Sequence, residues 1–223
     1  MAIFFREDCR TLRDSLQLEM VAAQYWLRIR DVVTTAGVPV AEAVGAGVVQ
    51  ELEREGDPLS HAILRAFAQL AVGDTATRSA NAVARLAERG VDLPPHFGDV
   101  GEAAPTGAWR ARGDQWGEYT FFAEFEYPLG GRHCIALYVP EAGGTIKHIG
   151  LIGPLGQVDD GAFSPSAMER LSSATAGALL SELLDRSYGP LARETDDYRV
   201  SIAVARARSL VVAGGGELPR PRR

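Results

Sequence analysis

Lysine and cysteine are scarce in this sequence, and no long apolar run occurs in it. Lys147 is the only lysine, although lysine and arginine together number 23. A GC-rich genome explains this arginine bias better than a function does. The two cysteines, Cys9 and Cys134, lie far apart and form no CxxC pair, a pattern that fits reduced thiols in a cytosol better than a disulfide framework. No stretch reaches the roughly 18 apolar residues of a membrane span.

A basic region is also missing. The net charge is −6, and neither half of the chain is basic. A protein without a positive field is a poor binder of nucleic acid or of anionic membranes, so neither is expected as a partner. The first ten residues, MAIFFREDCR, carry charges where a signal peptide needs its apolar core. These features predict a soluble cytoplasmic protein, and 223 residues with 46% hydrophobic content are enough to bury a core.

No motif in the sequence identifies a reaction or a cofactor. Gly45-Ala46-Gly47 resembles the start of a dinucleotide-binding loop, but Gln50 stands where the third glycine is required. The four histidines lack the i, i+4 spacing of a helical metal site. The sequence therefore indicates no cofactor.

Residues 1–93 have the 3.6-residue periodicity of amphipathic helices. Leu12, Leu16, Met20, Ala23 and Leu27 form one apolar stripe, which predicts a long helix that ends near Ala36-Gly37. The other helical signals are a segment over 40–55 closed by Gly56, a cap at Asp57-Pro58, and a helix from Gly73-Asp74 to Gly90. Residues 94–107 are rich in proline and glycine and are predicted to be a linker.

Strand periodicity is concentrated between Trp109 and Gly153. Residues 119–127 alternate, which predicts one buried face and one mostly solvated face, and Pro128–Gly131 has turn chemistry. Residues 133–139 are apolar on both faces, as expected for a strand in the middle of a sheet. With strands over 108–112 and 145–152, we predict an antiparallel sheet of three or four strands. A sheet this small needs helices to cover it.

The last part of the chain is predicted to be helical. Ser164-Pro165 is a start signal for a helix to about Arg186, and a final helix runs from about Tyr198 into Gly214. The predicted fold class is therefore α+β. Its divisions are a helical region over 1–93, a linker over 94–107, the sheet with C-terminal helices over 108–213, and a disordered tail over 214–223.

Candidate catalytic residues lie in the sheet region. His133 and His148 fall on neighbouring predicted strands, and Asp114 could approach them, so a two-histidine, one-carboxylate set for a catalytic metal is one hypothesis. Lys147 could form a Schiff base or bind phosphate if it were desolvated. The commoner roles for these residues are strand histidines without metal and a solvated edge lysine. Cys134 is interpreted as a core residue, because in a strand it points away from the adjacent His133.

The sheet region carries a family resemblance. It contains Trp109, the run Gly113-Asp114-Gln115-Trp116-Gly117, the pair Arg132-His133, an apolar strand, and a turn before Lys147. With the helical half before it, this layout resembles a family of uncharacterised proteins of high-GC Gram-positive bacteria, over residues 57–153. That family has a valine-aspartate-histidine-asparagine turn, a glycine pair and then lysine-aspartate. This chain has Val139-Pro140-Glu141-Ala142, keeps Gly143-Gly144, and has Lys147-His148.

The resemblance implies no activity and no catalytic residue. The positions that differ are the aspartate, histidine and asparagine that would make the best catalytic site, which lowers the case for an enzyme. The leading hypothesis is an interaction protein that binds a protein partner or itself, as a homodimer, through aromatic anchors. Those anchors are Trp109, Trp116, Tyr119 and Phe122, although a plain core role is commoner for each. The alternatives are a hydrolase-like enzyme at Asp114, His133 and His148, and a small-ligand domain in the cleft between helices and sheet.

Overall fold

A computed structural model describes residues 2–32, 40–112, 118–140, 146–155, 168–186 and 196–213. The chain divides into two compact units, Met1–Glu102 and Ala103–Arg223, called the N-terminal unit and the C-terminal unit below. Helices come first, an antiparallel sheet follows, and further helices end the described chain, so the predicted α+β class is confirmed. The predicted tail over 214–223 lies outside the described residues.

The N-terminal unit consists of helices. They are α1 (Ala2–Cys9), α2 (Ser15–Arg30), α3 (Ala41–Glu55), α4 (Pro58–Leu70) and α5 (Gly73–Glu88), followed by a 3-10 turn at Pro95–Phe97. In the core, the Phe5 ring stacks on Tyr25 with 4.3 Å between centroids and lies 5.2 Å from the Phe67 ring. These contacts join α1 to α2 and α4, and the aromatic area that they bury is a main source of stability.

Capping side chains fix the helix starts in this unit. Asp57 Oδ1 accepts a hydrogen bond from Ser60 N at 2.8 Å, as the Asp57-Pro58 signal predicts, and Gly56 ends α3 in the left-handed conformation. The predicted first long helix was wrong in its bounds. Asp14 Oδ1 caps α2 by accepting from Gln17 N at 2.8 Å, so Leu12 precedes the helix, and Asp31 ends it before the predicted stop. Ala36-Gly37 lies outside the described residues.

The C-terminal unit is built on a five-stranded antiparallel sheet. Its strands are β1 (Ala104–Arg112), β2 (Glu118–Glu126), β3 (Arg132–Pro140), β4 (His148–Ile152) and β5 (Glu169–Arg170), in the order β4-β3-β2-β1-β5. Helices α6 (Ser173–Arg186) and α7 (Asp196–Ala213) complete the described part. The predicted turn is confirmed, because Gly130 and Gly131 have φ of 99° and 94° and Tyr127 N donates to Gly131 O at 3.0 Å.

Two local predictions for this unit were wrong. Strand β1 begins at Ala104, inside the predicted linker 94–107, with a register irregularity between Pro105 and Gly107. Glu169–Arg170 form a strand rather than part of a helix, because they pair with β1 and Leu171 N donates to Ala108 O at 2.9 Å. Helix α6 therefore begins only at Ser173. The Ser164-Pro165 start signal lies outside the described residues.

The sheet buries side chains on both of its faces. The helix-covered face packs against α6 and α7 and includes Ala108, Phe121, Ala123, Phe125, His133, Ile135 and Leu137. The opposite face of β2 was predicted to be mostly solvated, and this was wrong at Thr120 and Phe122. Phe122 and Cys134 form a small core there with Ala111 and Leu155, and Thr120 is buried as well. Leu155, which covers this small core, lies in the segment that follows β4.

Within the described ranges, no helix has the combination of length and hydropathy that crossing a bilayer requires.

Candidate functional site

The two candidate metal-binding histidines lie on opposite faces of the sheet. His133 is paired with Phe125 across β2, and His148 is paired with Tyr138 across β3. Cross-strand partners share a face, and His133 and Tyr138 are five positions apart on β3, so they point in opposite directions. Five positions also span about 16 Å of strand. One ion needs both nitrogens at about 2.1 Å, so these two candidate histidines do not share one metal ion.

The remaining candidate ligands do not restore a metal site in the described chain. Asp114 lies outside the described residues. Across the residues whose positions are described, no group of three or more His, Cys, Asp or Glu side chains is placed to hold an ion.

Lys147 is not desolvated. Its ammonium is paired with the Glu118 carboxylate, and 57% of its side chain is exposed. Its backbone N–H donates to Tyr138 O at 2.8 Å, which extends the pairing between β3 and the segment before β4. A Schiff-base lysine needs a buried environment that lowers its pKa, so this position lacks the feature on which that hypothesis depends.

A buried arginine on α7, Arg208, contacts a buried histidine on the helix-covered face of the sheet, His133. Arg208 Nη2 donates to Tyr127 Oη at 2.6 Å, and Arg208 Nε donates to His133 Nε2 at 3.4 Å. The guanidinium carbon lies 5.4 Å from the Tyr127 ring centroid and 5.8 Å from that of Phe125. Arg208 and His133 are almost fully buried, at 2% and 1% exposure. This arrangement joins the last described helix to the sheet.

His133 is held neutral in this environment. Burial and, as the smaller cause, the nearby Arg208 charge together lower its pKa from 6.5 to about 3. Since Nε2 accepts from Arg208, the ring proton lies on Nδ1, which has no hydrogen-bond partner among the described residues. The Phe125 ring stacks on His133 with 5.5 Å between centroids. A histidine with such a low pKa is a weak general base, so the contacts indicate a structural role.

Of the predicted aromatic anchors that the structure describes, one is buried and two are half-buried. Phe122 is 2% exposed and belongs to the small core of the opposite face, so it was wrong as an exposed anchor. Trp109 packs against the same core and remains half-buried. Its indole lies over Gly107, where a β-carbon would be 2.1 Å from Trp109 Cη2. Tyr119 is half-buried at the start of β2, and Trp116 lies outside the described residues.

Glu124 accepts a hydrogen bond from the backbone of Leu155, the residue that covers this small core. Its Oε1 accepts from Leu155 N and its Oε2 accepts from Thr106 Oγ1, both at 3.1 Å. Leu155 is the residue that closes the core over Phe122 and Cys134. Burial, with a contribution from the Glu124 charge, raises the pKa of the Cys134 thiol to about 12. The interpretation of Cys134 as a core residue agrees with this position.

The β3 and β4 end of the opposite face is more open. Tyr138 is 40% exposed, His148 is exposed, and Ala136, Gly150 and Ile152 retain partial exposure. Strand β4 is an edge of the sheet, and within the described chain it pairs with β3 alone. An unpaired edge presents a row of backbone donors and acceptors that can hydrogen-bond to another strand.

The space between the sheet and the C-terminal helices is closely packed. The cavity lined by Phe121, Ala123, Ala176, Leu180 and Val212 has a volume of about 10 Å³. That volume is about one water molecule. Ligand sites of metabolite size are roughly 300–1,000 Å³. This space therefore gives no support to a small-ligand site between helices and sheet.

The residues that the sequence interpretation missed are Arg208 and Tyr138. Arg208 lies three positions after Ala205 and four before Val212, so it falls on the predicted apolar stripe of the last helix. A charged residue on such a stripe is a usable signal of a buried charge. Tyr138 alternates with Leu137 and Val139, which placed it on the second face of β3. No signal in the strand itself indicated that this face is open at β4.

In comparisons with protein-family models, curated proteins and solved structures, none matches this chain.

Proposed function

We propose that this chain is a protein-interaction protein whose C-terminal unit binds an extended segment of a partner protein at the edge strand β4. Tyr138 is the anchor beside that edge. The observation that carries the proposal is the combination of an edge with no partner strand in the described chain and an exposed tyrosine on the neighbouring strand. Backbone groups of β4 would supply affinity, and Tyr138 with Ile152 would select apolar side chains.

An extended polypeptide suits this edge better than a globular surface does. Successive side chains of an added strand point alternately to the two faces, so every second residue would lie on the face that carries His148 and Tyr138. Tyrosine is enriched among residues that dominate binding energy, because it supplies a large contact area and a polar end. Trp109 and Tyr119, both half-buried, contribute to the sheet but are less accessible than Tyr138.

The cytoplasm is the proposed location. Cys9 and Cys134 are free and buried, which fits a compartment that keeps thiols reduced. Membership of the family of uncharacterised high-GC Gram-positive proteins stays a prediction, and the resemblance does not indicate a binding partner.

A phage-displayed library of random linear peptides, selected on the purified chain, tests the binding proposal. We expect selected peptides with alternating apolar residues, whose binding weakens at least tenfold in Tyr138→Ala. Leu129→Ala is the matched control, since Leu129 is also exposed, at 66%, in the turn between β2 and β3. Hydrogen exchange of the amides of residues 148–152 should slow when a selected peptide binds.

Two outcomes would count against β4 as the binding edge. One is a selection that yields no specific peptide. The other is a set of peptides that bind Tyr138→Ala as tightly as the unaltered chain and leave exchange at β4 unchanged.

A further inference from the structure

Across the described residues, the two most exposed large apolar side chains are neighbours on α1. Ile3 and Phe4 are each 72% exposed. The other exposed large apolar side chains are scattered along the chain, at Val72, Leu129 and Tyr138. Two adjacent exposed apolar residues on one helix indicate a contact surface more strongly than scattered ones do.

A groove between α1 and α3 adjoins this pair. It has a volume of about 260 Å³, and its lining combines apolar and small residues with one carboxylate: Ala2, Ile3, Val44, Gly47, Val48 and Glu51. Ile3 is therefore a wall of the groove. A β-carbon at Gly47 would have no atom within 4 Å, so the groove is open above that glycine. The volume is below the roughly 300–1,000 Å³ of metabolite sites, which favours protein side chains as the occupant.

The part of the groove that α3 contributes suits a helix. Val44, Gly47, Val48 and Glu51 are three, one and three positions apart, so they lie on one face of α3. Gly47 has no side chain, and Ala43, one turn before it, is exposed with only a β-carbon. Such small residues let a second helix approach closely, because the side chains at the contact set the distance between two helix axes. An extended segment would instead need a sheet edge, which two helices do not provide.

The two helices that form the groove are acidic. They carry six carboxylates against two guanidiniums: Glu7, Asp8, Glu42, Glu51, Glu53 and Glu55 against Arg6 and Arg54. Arginines from outside these helices pair only with Glu7 and Glu53 among the printed ion pairs of the described residues. The whole N-terminal unit, residues 1–102, holds 15 carboxylates against 10 arginines, which gives −5 of the chain's −6.

Ion pairs beside the groove do not cancel this charge. The Arg54 guanidinium lies between two carboxylates, 2.8 Å from Glu51 and 3.0 Å from Glu55. Glu55 also pairs with Arg6 at 2.9 Å, and Arg6 pairs with Asp57 as well. This connected group holds three carboxylates and two guanidiniums, and it begins at the groove with Glu51. The groove is therefore apolar inside with an acidic side.

We propose that the α1/α3 groove binds a basic amphipathic helix of a partner protein. Apolar side chains of that helix lie against Ile3 and over Gly47, and its lysines or arginines face Glu51. A second copy of this chain would bring an equally acidic surface, and like charges across an interface repel each other. The groove belongs to the N-terminal unit and β4 to the C-terminal unit, so this inference goes beyond the proposed peptide binding and does not depend on it.

A phage-displayed library of amphipathic helices, selected on the full chain, tests the shape and the charge of the occupant together. Each member has about 18 residues, which is long enough to be helical alone. Its apolar stripe varies among alanine, leucine, isoleucine and phenylalanine, and the flanking positions vary freely between lysine and glutamate. We expect the selected helices to carry lysine at the flanking positions. A synthetic copy should bind about tenfold more weakly, or worse, when those lysines are replaced by glutamate.

Variants of the groove locate the binding. Ile3→Ala removes a wall and Gly47→Leu fills the open space, so each should weaken a selected helix by about tenfold or more. Gly47→Leu should keep or raise the melting temperature, because leucine is a good helix former and its β-carbon meets no neighbour. Val72→Ala is the matched control for Ile3→Ala, since it shortens a β-branched side chain that is 67% exposed, and it should leave the affinity unchanged. Glu51→Gln should weaken binding and reduce its dependence on salt.

Several results would overturn the basic helix as occupant. One is a selection that yields no helix, or yields helices with glutamate at the flanking positions. Another is binding that survives both Ile3→Ala and Gly47→Leu, which would place it outside the groove. Reversible self-association in sedimentation velocity that Ile3→Ala abolishes would assign the groove to a second copy. Loss of helix binding in Tyr138→Ala but not in Ile3→Ala would assign it to the sheet edge, which the linear-peptide selection tests independently.

Discussion

Arg208 donates a hydrogen bond to the Tyr127 hydroxyl across the interior of the C-terminal unit, although the two residues are 81 positions apart in sequence. Tyr127 follows β2 and Arg208 lies on α7, so the bond connects the sheet to the last described helix. Both side chains are buried, at 4% and 2% exposure. A buried guanidinium is costly unless its donors are satisfied, so the position of α7 depends on this contact.

The replacement Tyr127→Phe should destabilise the C-terminal unit by about 1.5–3 kcal/mol. It keeps the ring over which the guanidinium lies and removes the oxygen that accepts from Arg208. Chemical denaturation measures the change in free energy of unfolding. Tyr138→Phe is the control, because a hydroxyl on a partly exposed side chain should change stability by less than about 0.5 kcal/mol. Equal effects of the two replacements would contradict a special role for the Arg208 bond.

His133 should make the stability of the chain depend on pH. Its pKa is about 3 in the folded chain and 6.5 when unfolded, so between these values the unfolded state binds a proton that the folded state excludes. The stabilising contribution of neutral His133 to the free energy of unfolding is therefore fully present above pH 6.5, and it is lost as the pH falls toward 3. One such group changes the free energy of unfolding by at most about 1.4 kcal/mol per pH unit.

A comparison with His133→Gln isolates this contribution, since carboxylates also titrate in the acid range. The free energy of unfolding of the unaltered chain, minus that of the variant, should fall steadily from pH 6.5 to pH 4. His148→Gln is the control, because His148 is exposed on β4. A difference that stays constant with pH for His133→Gln would show that His133 is protonated as easily in the folded chain as in the unfolded one.

Local chemistry made much of this fold predictable. The start of α4 depends on Asp57 and Pro58 alone, and the turn after Tyr127 depends on two adjacent glycines with positive φ. Alternation along β2 and β3 also predicted which residues share a face, because the side-chain period of a strand is fixed. These features are set by neighbours within a few positions.

The errors came from contacts between distant residues. Glu169 pairs with Arg110, 59 positions away, so no local signal indicated β5. The burial of Phe122 depends on Leu155, which lies beyond two further strands. The pairing of His133 with His148 failed for the same reason. Membership of neighbouring strands was predictable, but the register and the faces that separate the two rings were not.

Both natural thiols should be unreactive in the folded chain. Burial raises the pKa of Cys9 to about 12, with a smaller contribution from the Asp8 charge, and Cys134 has a pKa of about 12 as well. At pH 8 the reactive thiolate would be about one part in ten thousand, and neither sulfur is accessible. Titration with a thiol reagent should detect two cysteines only after denaturation. Rapid modification of either cysteine at neutral pH in the folded chain would contradict this packing.

Replacement by alanine should have opposite effects on stability at two glycines of α3, Gly45 and Gly47. Gly47→Ala should stabilise the N-terminal unit by about 0.5–1 kcal/mol, because alanine is the better helix former and the new β-carbon meets no atom within 4 Å. A β-carbon at Gly45 would lie 2.3 Å from Thr75 Oγ1 on α5. Thr75 is buried and its branched side chain is stiff, so Gly45→Ala should destabilise the unit by about 1–2 kcal/mol.

The second replacement Thr75→Ala tests whether that contact is the cause. Thr75 Oγ1 has no hydrogen-bond partner among the described residues, so its removal breaks no bond there and makes room for a β-carbon at Gly45. In the Thr75→Ala background, Gly45→Ala should lose its penalty, and the helix preference for alanine should then stabilise α3. The double-mutant cycle should give a coupling of about 1–3 kcal/mol. Additive effects would instead place the cost of Gly45→Ala in α3 itself rather than in its approach to α5.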